Sequence, residues 1–205
     1  MTGDLACCLK QFLDEVSMWL ERSDAATGRR VADDLRSLRD SAPQRLVPVE
    51  TDSTESLEWL ETSLRSPEAI SLTQSLESIA PVLDWRMNER ISMMFTKLVG
   101  PDGVVSCDRF LFGTFLIAPE TVYPLHTHAA LETYIILSGK SRWWNSDAGY
   151  KVQHPGTVIV HEPFQPHAMR TGSEPLLTLW AWQDDISFES YRFEPDGVDA
   201  NGVPI

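Results

Sequence analysis

The chain has 205 residues, and 30 acidic side chains against 17 basic ones leave a formal charge of −13. A hydrophobic fraction of 42% at this length describes a folded chain with a real core rather than a disordered one. The negative charge argues against nucleic acid and anionic membrane as partners, since both are held by cationic patches; a small molecule, a metal ion or a second copy of the chain remains.

No apolar run approaches the roughly 20 residues that span a bilayer. The start, MTGDLACCLKQFLDEV, carries Asp4 and lacks the basic beginning and apolar centre of a signal peptide. Cys7, Cys8 and Cys107 fit neither a disulfide framework nor a zinc motif. A cytoplasmic chain with reduced, packing cysteines is expected.

Up to about residue 90 the apolar residues recur at helical spacing. Leu5, Leu9, Phe12, Val16 and Trp19/Leu20 form one stripe, and Val31, Leu35 and Leu38 form a second behind a Ser23-Asp24 cap. Residues 41–52 read as a loop, and Leu57, Leu60 and Leu64 form a third stripe. A fourth helix is expected to open at Ser66-Pro67-Glu68, run through Ile70, Leu76 and Ile79, and stop before Pro81.

From residue 91 the pattern changes to short β-rich runs at 110–119, 132–137, 140–145, 156–160 and 176–182, punctuated by Gly, Pro, Asn and Asp. The expected fold is mainly β with a helical N-terminal segment: residues 1–90 lean on a β-barrel of residues 91–205. The tail after Glu194 reads as irregular.

All five histidines fall between positions 126 and 167. In LHTHAALETYIILSG (125–139), His126, His128, Glu132 and Tyr134 share one parity and project to one face wherever the chain is extended. Leu131 and Ile135, of opposite parity, are free to pack outward. Burying two imidazoles, a carboxylate and a phenol together is costly unless a divalent cation holds them. His167, in HEPFQPHAMR, is the fourth candidate ligand, whereas His154 and His161 read as loop or edge residues.

The run H126-T-H128-AAL-E132-TYIILS-G139 resembles the first cupin motif, and GYKVQHPG (149–156) with PFQPHAM (163–169) resembles the second. The resemblance covers about residues 91–190. It implies a double-stranded β-barrel, a small jelly roll, in which His126, His128, Glu132 and His167 hold one divalent transition metal (Zn, Fe, Mn or Ni). It also makes a homodimer an expected partner state. Glu120 stands where the motif has glycine, Thr157 departs from its PxG turn, and Thr171 replaces its last asparagine.

The helical segment, the HTHxxxExY core, the upstream tyrosine and the LWAW run together resemble the cupin-type dimethylsulfoniopropionate (DMSP) lyases, in particular the DddQ-like group. That resemblance implies cleavage of a zwitterionic small molecule to dimethyl sulfide and acrylate by β-elimination. Tyr134 takes the place of the base, Tyr123 is the second catalytic candidate, and Tyr123 and Trp182 line the substrate pocket. Trp180 shares a strand face with Trp182, whereas Trp143 and Trp144 point to opposite faces, so at most one of them enters the barrel. Aromatic faces suit a sulfonium, since cation–π contacts contribute roughly 0.5–2 kcal/mol each. The same ligands would also suit a non-haem metal oxygenase or isomerase, which anaerobic assay separates from a lyase, or a non-catalytic ligand-binding cupin.

Overall fold

The computed structural model describes residues 2–23, 26–41, 43, 54–88, 90–194, 198–199 and 204. The apolar stripes fold as helices α1 (Thr2–Glu21), α2 (Ala26–Leu38), α3 (Thr54–Leu64) and α4 (Leu72–Ile79). Leu9, Phe12, Val16 and Leu20 of α1 and Val31 and Leu35 of α2 are buried, but Leu57 of α3 is 39% exposed and leaves its stripe to Leu60 and Leu64. Asp24, and all but Ser41 and Pro43 of the expected loop at 41–52, lie outside the described residues. The Ser23 hydroxyl donates to the Leu20 carbonyl at 2.6 Å, so it closes α1 rather than opening α2.

The fourth helix begins at Leu72, not at Ser66. Before it, residues 66–71 form turns, and the Ile70 N–H donates to the Leu137 carbonyl at 3.0 Å. Docking on the barrel thus withdraws that N–H from the helical ladder, overriding the Ser-Pro-Glu start signal. α4 ends ahead of Pro81, inside a single 3-10 turn over Ala80–Val82.

Among the described residues twelve strands follow: β1 (Arg86–Asn88), β2 (Met93–Gly100), β3 (Val105–Ser106), β4 (Leu111–Ile117), β5 (Val122–Thr127), β6 (Leu131–Ser138), β7 (Ser141–Asn145), β8 (Gly149–Gln153), β9 (Val158–His161), β10 (His167–Thr171), β11 (Leu176–Gln183) and β12 (Arg192–Phe193). One sheet runs β1-β2-β4-β11-β6-β9, with β3 beside β2, and the other runs β12-β5-β10-β7-β8. Apart from the parallel β2–β3 pair, neighbours are antiparallel, and the two sheets close on each other as the double-stranded barrel of a cupin.

Strand alternation gives the seven-stranded sheet two apolar faces. Leu98, Phe112, Ile135, Leu137, Leu179 and Ala181 share a core with Phe12, Val16, Leu76 and Ile79 of the helices. Phe115, Tyr134, Ile136, Trp143, Met169, Trp180 and Trp182 form a second core inside the barrel. The helices therefore cover one sheet from outside, and the interior is left to the side chains that carry chemistry.

Two turns bear on the motif. Gly139 has φ +84, and a Cβ there would come within 2.1 Å of the Pro175 carbonyl oxygen, so only glycine fits. Glu120 has φ +50, the left-handed region in which a β-carbon is strained, which explains why the motif has glycine there. Glu120→Gly is expected to stabilise the protein by about 1 kcal/mol and raise the melting temperature by about 2–4 °C in thermal denaturation.

Candidate metal centre and cavity

His126 lies in β5, His128 follows its end, and Glu132 and Tyr134 lie in β6. The histidines and the carboxylate thus come from two strands in different sheets, joined by a turn, and face each other across the barrel interior. His167 opens β10 directly opposite His126, with the two rings 4.1 Å apart. One ring nitrogen from each of His126, His128 and His167 lies within 4.8 Å of the others. All three rings and Glu132 are buried.

Hydrogen bonds set the orientation of these groups. Nδ1–H of His126 donates to the Pro124 carbonyl and Nδ1–H of His167 to the Gln165 carbonyl, both at 2.8 Å. In those tautomers Nε2 of each ring keeps its lone pair, the state in which imidazole ligates a metal. Glu132 Oε2 lies 3.0 Å from His128 Nε2 and 3.1 Å from His167 Nε2. Its Oε1 accepts from Trp182 Nε1 at 2.6 Å.

Burial alone would push the Glu132 carboxyl up, but a hydrogen bond with His128 and the close approach of His167 hold it well below the usual carboxylate range. Burial, with His167 nearby, pushes His126 well below its ordinary value and keeps it neutral. A buried carboxylate therefore faces a neutral imidazole, while His128 Nδ1 and His167 Nε2 have no hydrogen-bond partner. Orphaned, buried nitrogens around an ionised carboxylate fit a cation. The donor set suits a divalent transition metal.

Tyr134 is 1% exposed. Burial first, and then the charge of nearby Glu132, raise its phenol well above the ordinary value. Tyr123 stacks edge-on against His126 at 4.6 Å and accepts a hydrogen bond from the Tyr191 hydroxyl at 3.1 Å; burial raises its phenol too. A cavity of about 440 Å³ opens beside these groups, and Tyr123, His126, Glu132, Trp180 and Trp182 line it. Trp182 also lies against His128, with ring centroids 4.5 Å apart. Of the other tryptophan pair, Trp143 turns inward against Tyr134 at 4.8 Å.

A model of the family described as dimethylsulfoniopropionate lyase matches residues 21–178, from the end of α1 to the start of β11. The chain belongs to the dimethylsulfoniopropionate lyase family. A curated relative from Cereibacter sphaeroides, a candidate dimethylsulfoniopropionate lyase named DddL, is 31% identical over 120 residues, which cover 54% of this chain and 50% of that protein. The chain therefore matches about half the length of that relative. Among solved structures, the DMSP lyase DddQ from Ruegeria pomeroyi aligns with a TM-score of 0.69 at 20% identity, covering 91% of this chain and 95% of its own. A chain from a crystallographic description of the DMSP lyases RdDddP and RnDddQII aligns with a TM-score of 0.62 at 22% identity, covering 91% and 98%. At these identities the structures establish a shared fold that includes the helical segment.

In this member of the family the site holds residues that parity along one strand does not disclose. His161, expected as a loop or edge residue, does lie on an edge strand, but its ring is buried and stacks on His167 at 3.9 Å, nearly parallel. It pairs across strands with Glu132, neither of its nitrogens has a partner, and burial drives its pKa down to about 3. His154 is exposed beyond the end of β8. The segment after β11 brings Phe188, Tyr191 and Phe193 to the cavity, with Tyr191 stacked on His126 at 5.1 Å. The alternation of Tyr191 and Phe193 was the available signal. Among the described residues, no helix is long and apolar enough to cross a membrane.

Proposed function

We propose that the protein cleaves DMSP to dimethyl sulfide and acrylate, with Tyr134 as the general base. The supporting observation is a buried phenol two residues along β6 from Glu132, beside a buried His/Glu cluster that opens onto an aromatic cavity. In the reaction a proton leaves the carbon α to the carboxylate and a C=C bond forms. The C–S bond breaks with its electron pair passing to sulfur, which departs as neutral dimethyl sulfide.

His126, His128, His167 and Glu132 would hold the divalent cation. Once bound, it would lower the phenol's pKa, take a carboxylate oxygen of the substrate and spread the negative charge developing on the α carbon. Tyr134 Oη accepts the α proton, and its site in the closed interior keeps water from competing for it. Tyr123, held by Tyr191, shapes the adjoining wall. Trp180 and Trp182 present ring faces to the sulfonium.

Trp182 has a second role, because its N–H holds Glu132. Trp182→Phe keeps a ring against His128 but removes that donor, so metal affinity is expected to fall about 10–100-fold in a chelator competition. Trp182→Ala is expected to weaken substrate binding as well. The function itself is tested by headspace analysis of dimethyl sulfide, with acrylate measured in solution, after DMSP is added to metal-loaded protein under anaerobic conditions. Equimolar products support a lyase; their absence, or a requirement for oxygen, removes it.

A further inference from the structure

Two basic side chains, Arg90 and Lys97, line the same cavity as Trp180, Trp182 and Tyr191. The Arg90 guanidinium lies 4.2 Å from the centre of the Phe193 ring, and the Lys97 ammonium lies 5.5 Å from that of Phe188. Both rings also line the cavity, so each has a protein cation against it.

The two cations differ in how their charge is met. Lys97 is paired with Asp102 at 2.9 Å, and Arg86 reaches the other oxygen of that carboxylate at 3.1 Å. Among the described residues no carboxylate pairs with Arg90, and its charge is felt by the Tyr191 phenol. Arg90 is exposed at the cavity rim.

A cation without an acidic partner among the described residues runs against the charge of the rest of the chain. A chain of charge −13 gathers cations at its surface, and a cavity walled by tryptophan and tyrosine rings binds sulfonium and quaternary ammonium ions without regard to the rest of the ligand. Aromatic faces alone cannot tell DMSP from a bare cation of similar size. A fixed positive charge can, because it repels the cationic end of either ligand and attracts only the carboxylate that one of them carries.

We infer that Arg90 is a specificity-determining residue: its charge at the rim, paired with no carboxylate among the described residues, admits the zwitterion by its carboxylate and rejects cations that lack one. The inference rests on the reading of the cavity as a DMSP site. Lys97, neutralised by Asp102, contributes less.

The test uses ethyldimethylsulfonium, which is DMSP without its carboxylate. Its dissociation constant from metal-loaded protein is measured by tryptophan fluorescence quenching at low salt, beside KM for DMSP. In Arg90→Met the sulfonium is expected to bind roughly tenfold more tightly while KM for DMSP rises about threefold, the two moving in opposite directions. Arg90→Lys restores both values toward wild type. Sulfonium affinity equal in wild type and Arg90→Met, or a parallel shift of both ligands, overturns the assignment. Failure of the underlying reading shows separately, as no dimethyl sulfide from wild type or either variant.

Discussion

Replacing Tyr134 by phenylalanine is expected to lower turnover of DMSP by about 10²–10⁴-fold, the usual contribution of a positioned general base. The ring remains, so its contacts with Trp143 at 4.8 Å and Phe115 at 6.2 Å remain as well. Only the hydroxyl beside Glu132 is lost. The variant should therefore melt near the wild-type temperature and carry the same metal content, with KM changed by only a few-fold. That pattern separates a base from a packing residue, whose loss would register in stability first. Wild-type turnover in Tyr134→Phe would remove the phenol from the chemistry and direct attention to Tyr123, whose ring packs edge-on against His126.

Removal of the metal should abolish turnover and weaken the fold together. Glu132 and the three histidines are buried against one another, and a cation bound to the folded state alone stabilises it by about 2.7–4.1 kcal/mol at 100–1,000 times its dissociation constant. For a chain of this length, that corresponds to a melting temperature roughly 5–15 °C lower after chelation. His128→Ala should reproduce both losses, because it removes one imidazole and leaves Glu132 less well matched in the interior. Differential scanning fluorimetry with and without chelator reads the stability change, and product release reads the activity. A chelated protein that melts at the same temperature and turns over at the same rate would contradict the assignment of these four residues.

The helical stripes, five of the strands and the four clustered His/Glu residues were legible in the sequence because each depends on local periodicity or a short motif. Trp180 and Trp182 were legible for the same reason, as alternating residues of one strand. His161 was not. In the run VIVH all four positions are apolar or aromatic, so parity does not say which face turns inward; that is decided by pairing with Glu132, 29 positions earlier in the chain. Tyr191 and Phe193 reach the cavity only because β12 pairs with β5 beside His126, another long-range contact. The start of α4 was misplaced because a bond to the barrel, from Ile70 to Leu137, outweighed a good local start signal. Arg90 carries no motif at all. Its place at the cavity rim, with no acidic partner among the described residues, is visible only in the folded geometry.

The most direct measurement is a titration of metal-free protein with a divalent transition metal while dimethyl sulfide is followed in the headspace. Release should rise from near zero in proportion to added ion and level off at one ion per chain, with Tyr134→Phe binding the same single ion and staying silent. Full release before any metal is added, or no release at saturation, would contradict a phenol acting beside one cation held by His126, His128, Glu132 and His167.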